Sequence, residues 1–445
     1  ETIDFITKEF HLHPTTARIL HSRGITTKKQ IHDFLYAQLP DLHDPYLFAD
    51  IEKSILRIEH AIENSENILI CGDNDVDGMT GTALLTEFLR MIGGSVFFYT
   101  PNRNELKRSI ILDAVEYARE EKCKLLITVD CGITAAQDLQ EAAEFNIDVI
   151  ITDHHEPTHK IPHCLATLNP KLFDSNYPNR DLTGVGVAFK LIHGLTVYLV
   201  SKGKLEPSTI DLKSFLDLAA LGTIADMGAL LGENRILVRY GLKQLEKKER
   251  VGLAKLLSVC ELDLRELVSS DIASKIAPRL NSLGRIADPK KGIELLLIKD
   301  PVEAEIIAKE LDLNNIERQK IERQVNTDVE KILETTPEIL KEKALIMDSD
   351  RWHPGVIAIV ATRCAKQYNR PSVIIASDGK TGKGSMRSIR EFPLLPSLKK
   401  LSHLLTNFGG HDYAAGLTIP VENIETFKKE FISIANEQLE EHDVQ

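Results

Sequence analysis

Three acidic clusters constrain this sequence most, because each follows directly after a short apolar run that is typical of a β-strand. The clusters are Asp73-Asn74-Asp75-Val76-Asp77-Gly78, Asp130-Cys131-Gly132 and Asp153-His154-His155. Apolar runs alternate with helical patterns from Ile68 onward, which predicts a parallel β-sheet covered by helices. In such open sheets ligands bind beyond the carboxyl ends of the strands. All three clusters sit at such ends, so we expect their side chains to converge.

The alternation predicts five strands, at 68–71, 96–99, 125–129, 149–152 and 165–168. Residues 1–66 show the patterns of short helices and end in an amphipathic segment. We therefore predict a helical lead-in over 1–66, followed by an α/β domain over 67–299 whose later part is mainly helical.

A long helix is predicted after this domain. Asp300-Pro301 opens a stretch with no glycine and no further proline until Pro337, and about 34 residues of helix would be roughly 50 Å long. Its apolar positions cover only part of its surface, which favours a bridge between two domains. We place a connecting helix at 300–340 and a smaller α/β domain at 341–445, with strand, helix and strand at 344–347, 356–366 and 373–376 and the α/β pattern ending near Gly416. The predicted fold class is therefore α/β with two domains.

Composition narrows the class of protein. The net charge of −12 over 445 residues argues against a protein that coats nucleic acid through a broad basic surface, but it allows a local basic channel. The six cysteines contain no C-x-x-C pair, which argues against a disulfide framework and a structural zinc site. The longest apolar runs are short and the N-terminus lacks a signal-peptide pattern, so we expect a cytoplasmic protein with no membrane segment.

The acidic clusters also predict a metal centre. Carboxylates two residues apart and neighbouring histidines supply the oxygen and imidazole ligands that suit Mn²⁺ or Mg²⁺. Asp226 ends a mostly apolar segment, where a lone carboxylate would be costly without a partner. Four carboxylates would balance the charge of two divalent ions, which together can promote phosphoester hydrolysis. These four are Asp75, Asp77, Asp130 and Asp226.

Each cluster has a structural alternative. The loop around Asp75 and Asp77 is also compatible with a solvated turn. Asp130 could instead cap the next helix, and His154-His155 could be a pair of surface histidines.

The order Asp-x-Asp-x-Asp-Gly, Val-Asp-Cys-Gly-Ile and Asp-His-His resembles the DHH phosphoesterases. The match extends to five further motifs: GVGVAFK at 184–190, APRLNSLGR at 277–285, WHPGVI at 352–357, KGSMRS at 383–388 and GGH at 409–411. Together these motifs are similar to the RecJ family of single-strand-specific exonucleases, over nearly the whole chain. The resemblance implies a DHH catalytic domain over 67–299 and a DHHA1 substrate-binding domain over 341–445.

The resemblance also implies a role for each matching residue. The implied metal ligands are Asp75, Asp77, Asp130, His154 and Asp226, with Asp130 bridging two ions. His155 would contact the scissile phosphate, and Asp73 would support the site. The implied substrate contacts are Arg103, Arg279, Ser385, Arg387, Gly409, Gly410 and His411. From the residues alone, 383–388 fits a plain hairpin turn as well as a phosphate clamp, and Trp352 fits packing at a domain interface as well as stacking on a base.

The implied activity is hydrolysis of single-stranded DNA from 5′ to 3′ into mononucleotides, with two divalent ions, Mn²⁺ preferred and Mg²⁺ as a substitute. The resemblance further implies a monomer that acts in DNA repair and recombination, with a single-strand-binding protein and a helicase as candidate partners. Two alternatives stay open: a DHH phosphodiesterase of short RNA or cyclic dinucleotides, and a non-catalytic scaffold that binds single strands. The oligonucleotide-binding domain of longer family members has no counterpart in this sequence, from which we expect weaker substrate affinity.

Overall fold

The computed structural model describes residues 2–102, 106, 108–262 and 267–444. The chain divides into two compact units, Glu1–Asp312 and Leu313–Gln445. The predicted α/β class is confirmed in both.

The first unit begins with the predicted short helices. They are α1 (Thr2–Glu9), α2 (Pro14–Ser22), α3 (Lys28–Tyr36) and α4 (Ile51–Glu63), with 3-10 turns at Leu39–Asp41 and Pro45–Leu47. A capping box starts α3, because the Thr27 hydroxyl accepts the Gln30 N–H and the Gln30 side chain accepts the Thr27 N–H. Helices α1 to α3 share a small core of their own, whereas α4 packs into the main core through Ile51, Ile55 and Ile58.

A parallel sheet forms the centre of the first unit. Its strands are β1 (Asn67–Gly72), β2 (Ser95–Tyr99), β3 (Cys123–Val129), β4 (Asp148–Thr152) and β5 (Ala166–Leu168), in the order β2-β1-β3-β4-β5. All five predicted strands are confirmed, with ends within two residues of those expected. Gly72 pairs with Val129, and Val129 pairs with Thr152. The three acidic clusters therefore leave the sheet side by side at one edge.

Helices cover both faces of this sheet. They are α5 (Val76–Met91), α6 (Ile110–Glu120), α7 (Asp138–Glu144), α8 (Gly184–Ser201), α9 (Leu216–Ala225), α10 (Gly232–Glu246), α11 (Val251–Val259), α12 (Ser269–Asp271), α13 (Ala277–Ile286) and α14 (Lys290–Leu297), with a 3-10 turn at Leu212–Phe215 and a π-turn at Ile272–Ile276. Ile68 and Ile70 point into the core beneath α5 and α8, and Leu69 and Cys71 point into the core beneath α6 and α7. This two-sided burial is the reason that the strands appear as continuous apolar runs.

Among the described helices, only α8 is long and apolar enough to span a membrane, with a mean hydropathy of 1.5 over 18 residues. Most of it is buried, and it contacts α5 and α9. In this structure it is therefore the central core helix of the first unit.

The predicted long helix is confirmed as α15 (Pro301–Thr335), which continues into the second unit. That unit contains β6 (Leu345–Ser349), α16 (Ile357–Tyr368), β7 (Ser372–Ser377), β8 (Thr381–Arg387), α17 (Leu394–Lys400), β9 (Asn407–His411), β10 (Ala414–Pro420) and α18 (Ile424–Gln438), with 3-10 turns at Pro337–Lys341, Ser402–Leu404, Val421–Asn423 and Glu441–Val444. Its sheet has the order β6-β7-β8-β10-β9. Only the β6–β7 pair is parallel.

Two details of the second unit differ from expectation. The α/β pattern does not end near Gly416, because α18 follows and buries Phe427 and Phe431 in the core of the unit. Residues 383–388 are not a hairpin turn, because they lie on and just after β8. The turn comes earlier, where the Asp378 carboxylate accepts the N–H groups of Lys380 and Thr381.

A buried charged network fixes the lead-in to the first unit. Lys190 of α8 and Glu233 of α10 are both fully buried, and their Nζ and Oε1 atoms are 3.0 Å apart. The Tyr177 hydroxyl donates to Glu233 Oε2 at 2.6 Å, and the His43 N–H donates to Oε1 at 2.9 Å. Removal of one partner would leave the other charge buried without compensation.

We expect Glu233→Gln to lower the free energy of unfolding of the first unit by about 3 to 5 kcal/mol. Urea unfolding followed by far-UV circular dichroism measures this change. Fluorescence is unsuitable, because the single tryptophan, Trp352, lies in the second unit.

Glu63→Gln is the matched control, because Glu63 pairs with Lys204 at the surface and exposed pairs contribute little. Equal shifts in the two variants would contradict a special role for the buried network.

Candidate metal centre

Asp77 lies in the first turn of α5 and is held by the N-terminus of α8. Its Oδ2 accepts the Gly184 N–H at 2.6 Å, and its Oδ1 accepts the Val185 N–H at 2.8 Å. The first N–H groups of a helix have no partner within the helix and favour negative charge. The fold therefore positions this buried carboxylate through the first two backbone N–H groups of the motif at 184–190, a role that the motif's side chains do not indicate.

Asp130 follows β3 with a left-handed backbone, φ +60°, which Asp tolerates better than most residues. It does not cap a helix, because α7 begins only at Asp138. Its Oδ1 instead lies 3.0 Å from Nε2 of His154. Both atoms are buried, and neither has a hydrogen-bond partner in the described part of the chain. A cation shared by the two side chains fits this pair of orphaned atoms.

His154 brings a second group of acids together. Its Nε2 is 3.8 Å from Oδ2 of Asp77 and 3.8 Å from Oδ2 of Asp226, the residue that follows α9. Burial and the charge of His155 lower the pKa of His154 to about 4. The imidazole is therefore neutral at physiological pH and offers a lone pair, as a metal ligand requires.

Asp153 orients the other histidine, a role that was not predicted from the sequence. Its Oδ1 accepts the His154 N–H at 2.7 Å and lies 2.8 Å from His155 Nδ1, and its Oδ2 accepts the Ile133 N–H at 2.9 Å. The hydrogen bond to Asp153 raises the pKa of His155 to about 9, against the opposing effect of burial. His155 is therefore a cation, and about half of its side chain faces solvent.

Among the residues that the structure describes, three overlapping groups of side chains could each hold a metal ion. They are Asp130 with His154 and His155, Asp77 with His154 and Asp226, and Asp73 with Asp75 and Asp130; the ligand atoms within each group lie within 4.8 Å of one another. Asp130 and His154 each belong to two groups. Asp75 combines two roles, because its Oδ1 also accepts the Gly78 N–H at 3.1 Å and so caps α5.

Crowding of the carboxylates shifts their pKa values. Burial, followed by the charges of Asp226 and Asp75, raises the pKa of Asp77 well above its usual value. Burial and the charges of Asp75 and Asp77 do the same for Asp130. The pKa of Asp226 is raised to about 6 by burial and by Asp75. Nearby cations would reverse these shifts, because positive charge favours the ionised carboxylates.

Glycines let two helices approach these carboxylates closely. A Cβ atom on Gly184 would lie 2.6 Å from Cβ of Asp130, and one on Gly222 would lie 2.8 Å from Oδ1 of Asp77. Neither distance is sterically possible without a shift of the carboxylate or the backbone. Both positions therefore require glycine.

Two residues of α13 border the site; they belong to the motif at 277–285, but their roles were not predicted from the sequence. Asn281 Oδ1 accepts the Val76 N–H at 3.1 Å, and Gly284 packs against the backbone carbonyl of Asn74. Arg279 lies on the same helix, but its guanidinium pairs with Asp312 of α15 at 2.8 Å. Arg103 lies outside the described residues.

In the second unit, strand pairing aligns the predicted substrate contacts in two rows. Gly416 of β10 pairs with Ser385 on one side and Gly409 on the other, and Ala414 pairs with Arg387 and His411. Gly410 lies between these rows with φ +134°, where a Cβ atom would approach the Ala414 carbonyl to 2.4 Å.

The face that carries these rows is open. Gly409 has no atom within 4 Å of a Cβ built on it, and Gly416 has only one, at 3.8 Å. Packing of the protein therefore does not require glycine at either position. Glycine keeps the surface flat, so that a ligand can approach the backbone.

Trp352 is buried in the core of the second unit, beside Val325 and Val329 of α15. Its Nε1 donates to Asp328 Oδ2 at 3.2 Å. Of the two alternatives for this residue, packing is therefore the correct one, and it takes place inside the second unit.

Comparison with known proteins supports the same family throughout the chain. Residues 67–223 match the DHH family N-terminal domain, and residues 341–437 match the DHHA1 domain. The chain is 36% identical to the single-stranded-DNA-specific exonuclease RecJ of Bacillus subtilis, over 100% of this chain and 55% of that protein. It is 34% identical to the Escherichia coli RecJ, over 96% of this chain and 76% of that protein. The chain thus spans only about half of the first relative.

The fold agrees with these matches. The crystal structure of RecJ from Thermus thermophilus in complex with Mn²⁺ superposes with a TM-score of 0.82 and 30% identity, covering 98% of this chain and 61% of that one. The same protein in complex with Mg²⁺ superposes with a TM-score of 0.73 and 28% identity, covering 98% and 59%. The chain belongs to the RecJ family of single-stranded-DNA-specific exonucleases.

Proposed function

We propose that this chain hydrolyses single-stranded DNA from 5′ to 3′ and releases mononucleotides, with the aid of two divalent metal ions. The observation that carries the proposal is the buried contact between Asp130 Oδ1 and His154 Nε2 at 3.0 Å, at the overlap of the three possible metal groups. Both atoms lack a hydrogen-bond partner among the described residues, and a shared cation would coordinate both of them. Relatives that bind Mn²⁺ and Mg²⁺ support divalent ions, and we propose Mn²⁺ as the preferred one.

The proposed ligands divide over two ions, with Asp130 as the bridge. Asp75, Asp77, His154 and Asp226 are the remaining ligands. When bound, such ions polarise a phosphoryl oxygen and lower the pKa of a bound water, so that no protein nucleophile is needed. The N-terminus of α8 keeps Asp77 in place, because both of its oxygens accept backbone N–H groups there. Asp73 lies beside Asp75 and Asp130 in one of the three possible metal-binding groups, and we propose that it supports these two ligands.

His155 is proposed to bind the scissile phosphate. Its Nδ1 faces Asp153 at 2.8 Å, which leaves Nε2 to donate a hydrogen bond to a phosphate oxygen. The raised pKa keeps the ring charged, and charge-assisted hydrogen bonds to phosphate are the stronger kind. Asp153 acts as a positioning residue through His155.

The open face in the second unit is proposed to bind the nucleotides near the strand end. Arg387 and Ser385 would contact phosphate, beside the flat surface formed by Gly409 and Gly416. Arg387 Nη1 donates to the Met386 carbonyl at 2.8 Å, which holds the guanidinium in place before substrate arrives. Gly410 and His411 belong to the same strand as Gly409 and are proposed to contact substrate with it. Arg103 and Arg279, in the first unit, are proposed as further substrate contacts, independent of this face.

The wider setting of the enzyme is also a proposal. We propose a monomer in the cytoplasm that acts in DNA repair and recombination, with a single-strand-binding protein and a helicase as partners. Family membership supports these assignments. The domain limits 1–66, 67–299, 300–340 and 341–445 stay predictions.

We expect the purified chain with Mn²⁺ to release mononucleotides from single-stranded DNA, and a block at the 5′ end alone to stop the release. Asp130→Asn should reduce the rate by about 10³-fold or more, because it removes the bridging carboxylate. Asn tolerates the left-handed backbone at this position, so the fold should survive. Chromatography of labelled products from end-blocked strands measures both effects.

Asp174→Asn, on an exposed residue, is the control and should match the unmodified chain. Cleavage of dinucleotides but not of long strands would indicate a small-substrate phosphodiesterase, and hydrolysis of nothing would indicate a binding scaffold. Full activity of Asp130→Asn would exclude the two-ion assignment.

We expect Mn²⁺ to raise the melting temperature more at pH 7.5 than at pH 5.5. The pKa of Asp226 is about 6 in the metal-free protein, so below that pH binding must displace a proton. The raised pKa also makes stability depend on pH. The stability that protonated Asp226 contributes is fully present below the pKa of this group in the unfolded chain, and it is lost as the pH rises through the folded value of about 6. Asp226→Asn should therefore raise the metal-free melting temperature at pH 7.5 by about 2 to 4 °C and reduce the response to Mn²⁺.

Differential scanning calorimetry with Mn²⁺ or with a chelator measures these shifts. Equal stabilisation by Mn²⁺ at both pH values would show that binding does not ionise the crowded carboxylates.

We expect Gly409→Val to leave the melting temperature within about 1 °C, because the site has room for a side chain. It should raise KM for single-stranded DNA by about tenfold, because the added methyl groups occupy the open face. Steady-state kinetics and thermal unfolding measure both effects. Thr406→Val, just before β9, is the control and should change neither, whereas an unchanged KM in Gly409→Val would exclude this face from substrate binding.

A further inference from the structure

Two exposed apolar side chains border the metal centre. Of the large apolar side chains in the part of the chain that the structure describes, Met227 and Phe173 are the most exposed, at 88% and 69%. Met227 directly follows Asp226, and Phe173 lies in the loop after β5. Because burial of such side chains is favourable, their presence in solvent beside the metal centre indicates a surface that a ligand covers.

The backbone at Met227 favours glycine. Its φ is +57°, and it occupies the left-handed position of a Schellman motif that ends α9, where glycine is usual. In that motif the Met227 N–H donates to the Ile224 carbonyl at 3.1 Å, and the Gly228 N–H donates to the Thr223 carbonyl at 3.0 Å. Neither the backbone nor the packing of the protein therefore requires methionine here, and such positions are common at functional sites.

The loop that carries Phe173 is attached to the same site. Asn169 is buried; its Nδ2 donates to the carbonyl of His155 at 2.9 Å, and its Oδ1 accepts the Lys171 N–H at 2.7 Å. Arg180 Nη2 donates to the carbonyl of Lys171 at 3.0 Å. These bonds fix the backbone of the loop beside the histidine that is proposed to bind the scissile phosphate, while the ring of Phe173 lies mostly in solvent.

The loops of Phe173 and Met227 are also joined to each other. Asn234 of α10 donates from Nδ2 to the carbonyls of Asp181 and Ala229, at 2.6 and 3.1 Å. Asp181 follows the arginine that bonds to the first loop, and Ala229 comes two residues after Met227. Both exposed side chains therefore belong to one connected border of the metal centre, which exists before substrate binds. Such a preformed site avoids part of the ordering cost of association.

Lys171 supplies positive charge at this border. Its Nζ lies 3.6 Å from Oε1 of Glu156, whose side chain is 77% exposed, and such exposed pairs are weak. Burial is the main influence on the pKa values of His154 and Asp226, and the charge of Lys171 lowers both of them. The ammonium group is therefore close enough to the metal ligands to attract a phosphate of a strand that passes the site.

We infer, on the basis of the proposed function, that Phe173, Met227 and Lys171 bind the nucleotide on the 3′ side of the scissile phosphate. The strand end is assigned to the open face of the second unit, which leaves the retained strand to the first unit. The Phe173 ring stacks on the base, the flexible Met227 side chain packs against the same nucleotide, and Lys171 pairs with its phosphate. Stacking accepts every base, because each has a π-face. It also requires a base that is not stacked in a duplex, so this contact favours single strands.

The test combines Phe173→Ala with removal of one base from the substrate. The substrates are a normal single strand and the same strand with an abasic analogue at the second nucleotide from the 5′ end. With Mn²⁺ and the unmodified chain, we expect the abasic position to raise KM for release of the first nucleotide by about tenfold. Phe173→Ala should raise KM for the normal strand by about tenfold as well, and the abasic position should then have no further effect.

Binding gives the same comparison without hydrolysis. Fluorescence polarisation of labelled strands with the Asp130→Asn chain, with and without Phe173→Ala, should show the same loss of affinity and the same lack of additivity. Lys171→Gln should reduce the slope of log Kd against log salt concentration by about 0.7, because it removes one phosphate contact to a single strand. Phe173→Trp should restore binding, since it retains a stacking face.

Phe5→Ala is the matched control, because it makes the same change at an exposed phenylalanine of α1, and it should match the unmodified chain. Unchanged KM and affinity in Phe173→Ala would overturn the inference, and so would independent effects of the variant and the abasic position. Coupling to the first nucleotide instead of the second would overturn the assignment to the 3′ side. Hydrolysis of no strand by the unmodified chain would contradict the proposed function, and the binding comparison would then decide alone whether Phe173 contacts a base.

Discussion

Mutual repulsion of carboxylates is the constraint on which the first unit depends. Several aspartates meet at one edge of the sheet, where burial disfavours their ionised forms. The fold limits this cost with backbone donors: the N-terminus of α8 serves Asp77, and the loops after β3 and β4 serve Asp153. What remains unbalanced is the group around Asp130, whose pKa is raised by burial and then by its acidic neighbours. The protein thus keeps a local instability that bound cations would relieve, as is common where function competes with stability.

The sheet makes this crowding possible. Parallel pairing places Gly72, Val129 and Thr152 in adjacent register. The three acidic segments that follow these residues, although distant in sequence, therefore begin at the same edge of the sheet. The α8 helix must then approach within hydrogen-bond distance of Asp77, and Gly184 permits this. The same helix carries Lys190, whose buried bond to Glu233 attaches α8 to α10 and the lead-in. Packing of the lead-in and geometry of the site are consequently linked through one helix.

Much of this could be predicted from sequence, because the information is local. Apolar runs specify strands, and acids placed directly after them must lie at the carboxyl edge of a parallel sheet. What sequence could not provide are contacts between distant segments. The motif at 184–190 is visible in the sequence, but nothing in it shows that its first amides hold Asp77. The pairing of Arg279 with Asp312 likewise depends on how α13 meets α15. Trp352 was ambiguous for the same reason, since an aromatic residue after a strand packs or stacks according to what lies opposite it.

In the second unit, the role of a sequence motif becomes clear only when the register of the paired strands is known. The segment at 383–388 fits a turn or a binding surface equally well until β8 is seen to pair with β10, and β10 with β9. Pairing then puts Gly409 and Gly416 in one row, with no packing reason for either to lack a side chain. On the opposite face the neighbouring residues, including Met386 and Leu417, are buried in the core. The two faces of one sheet thus obey different constraints. Packing determines the residues on the buried face, and the approach of a ligand determines the residues on the open face.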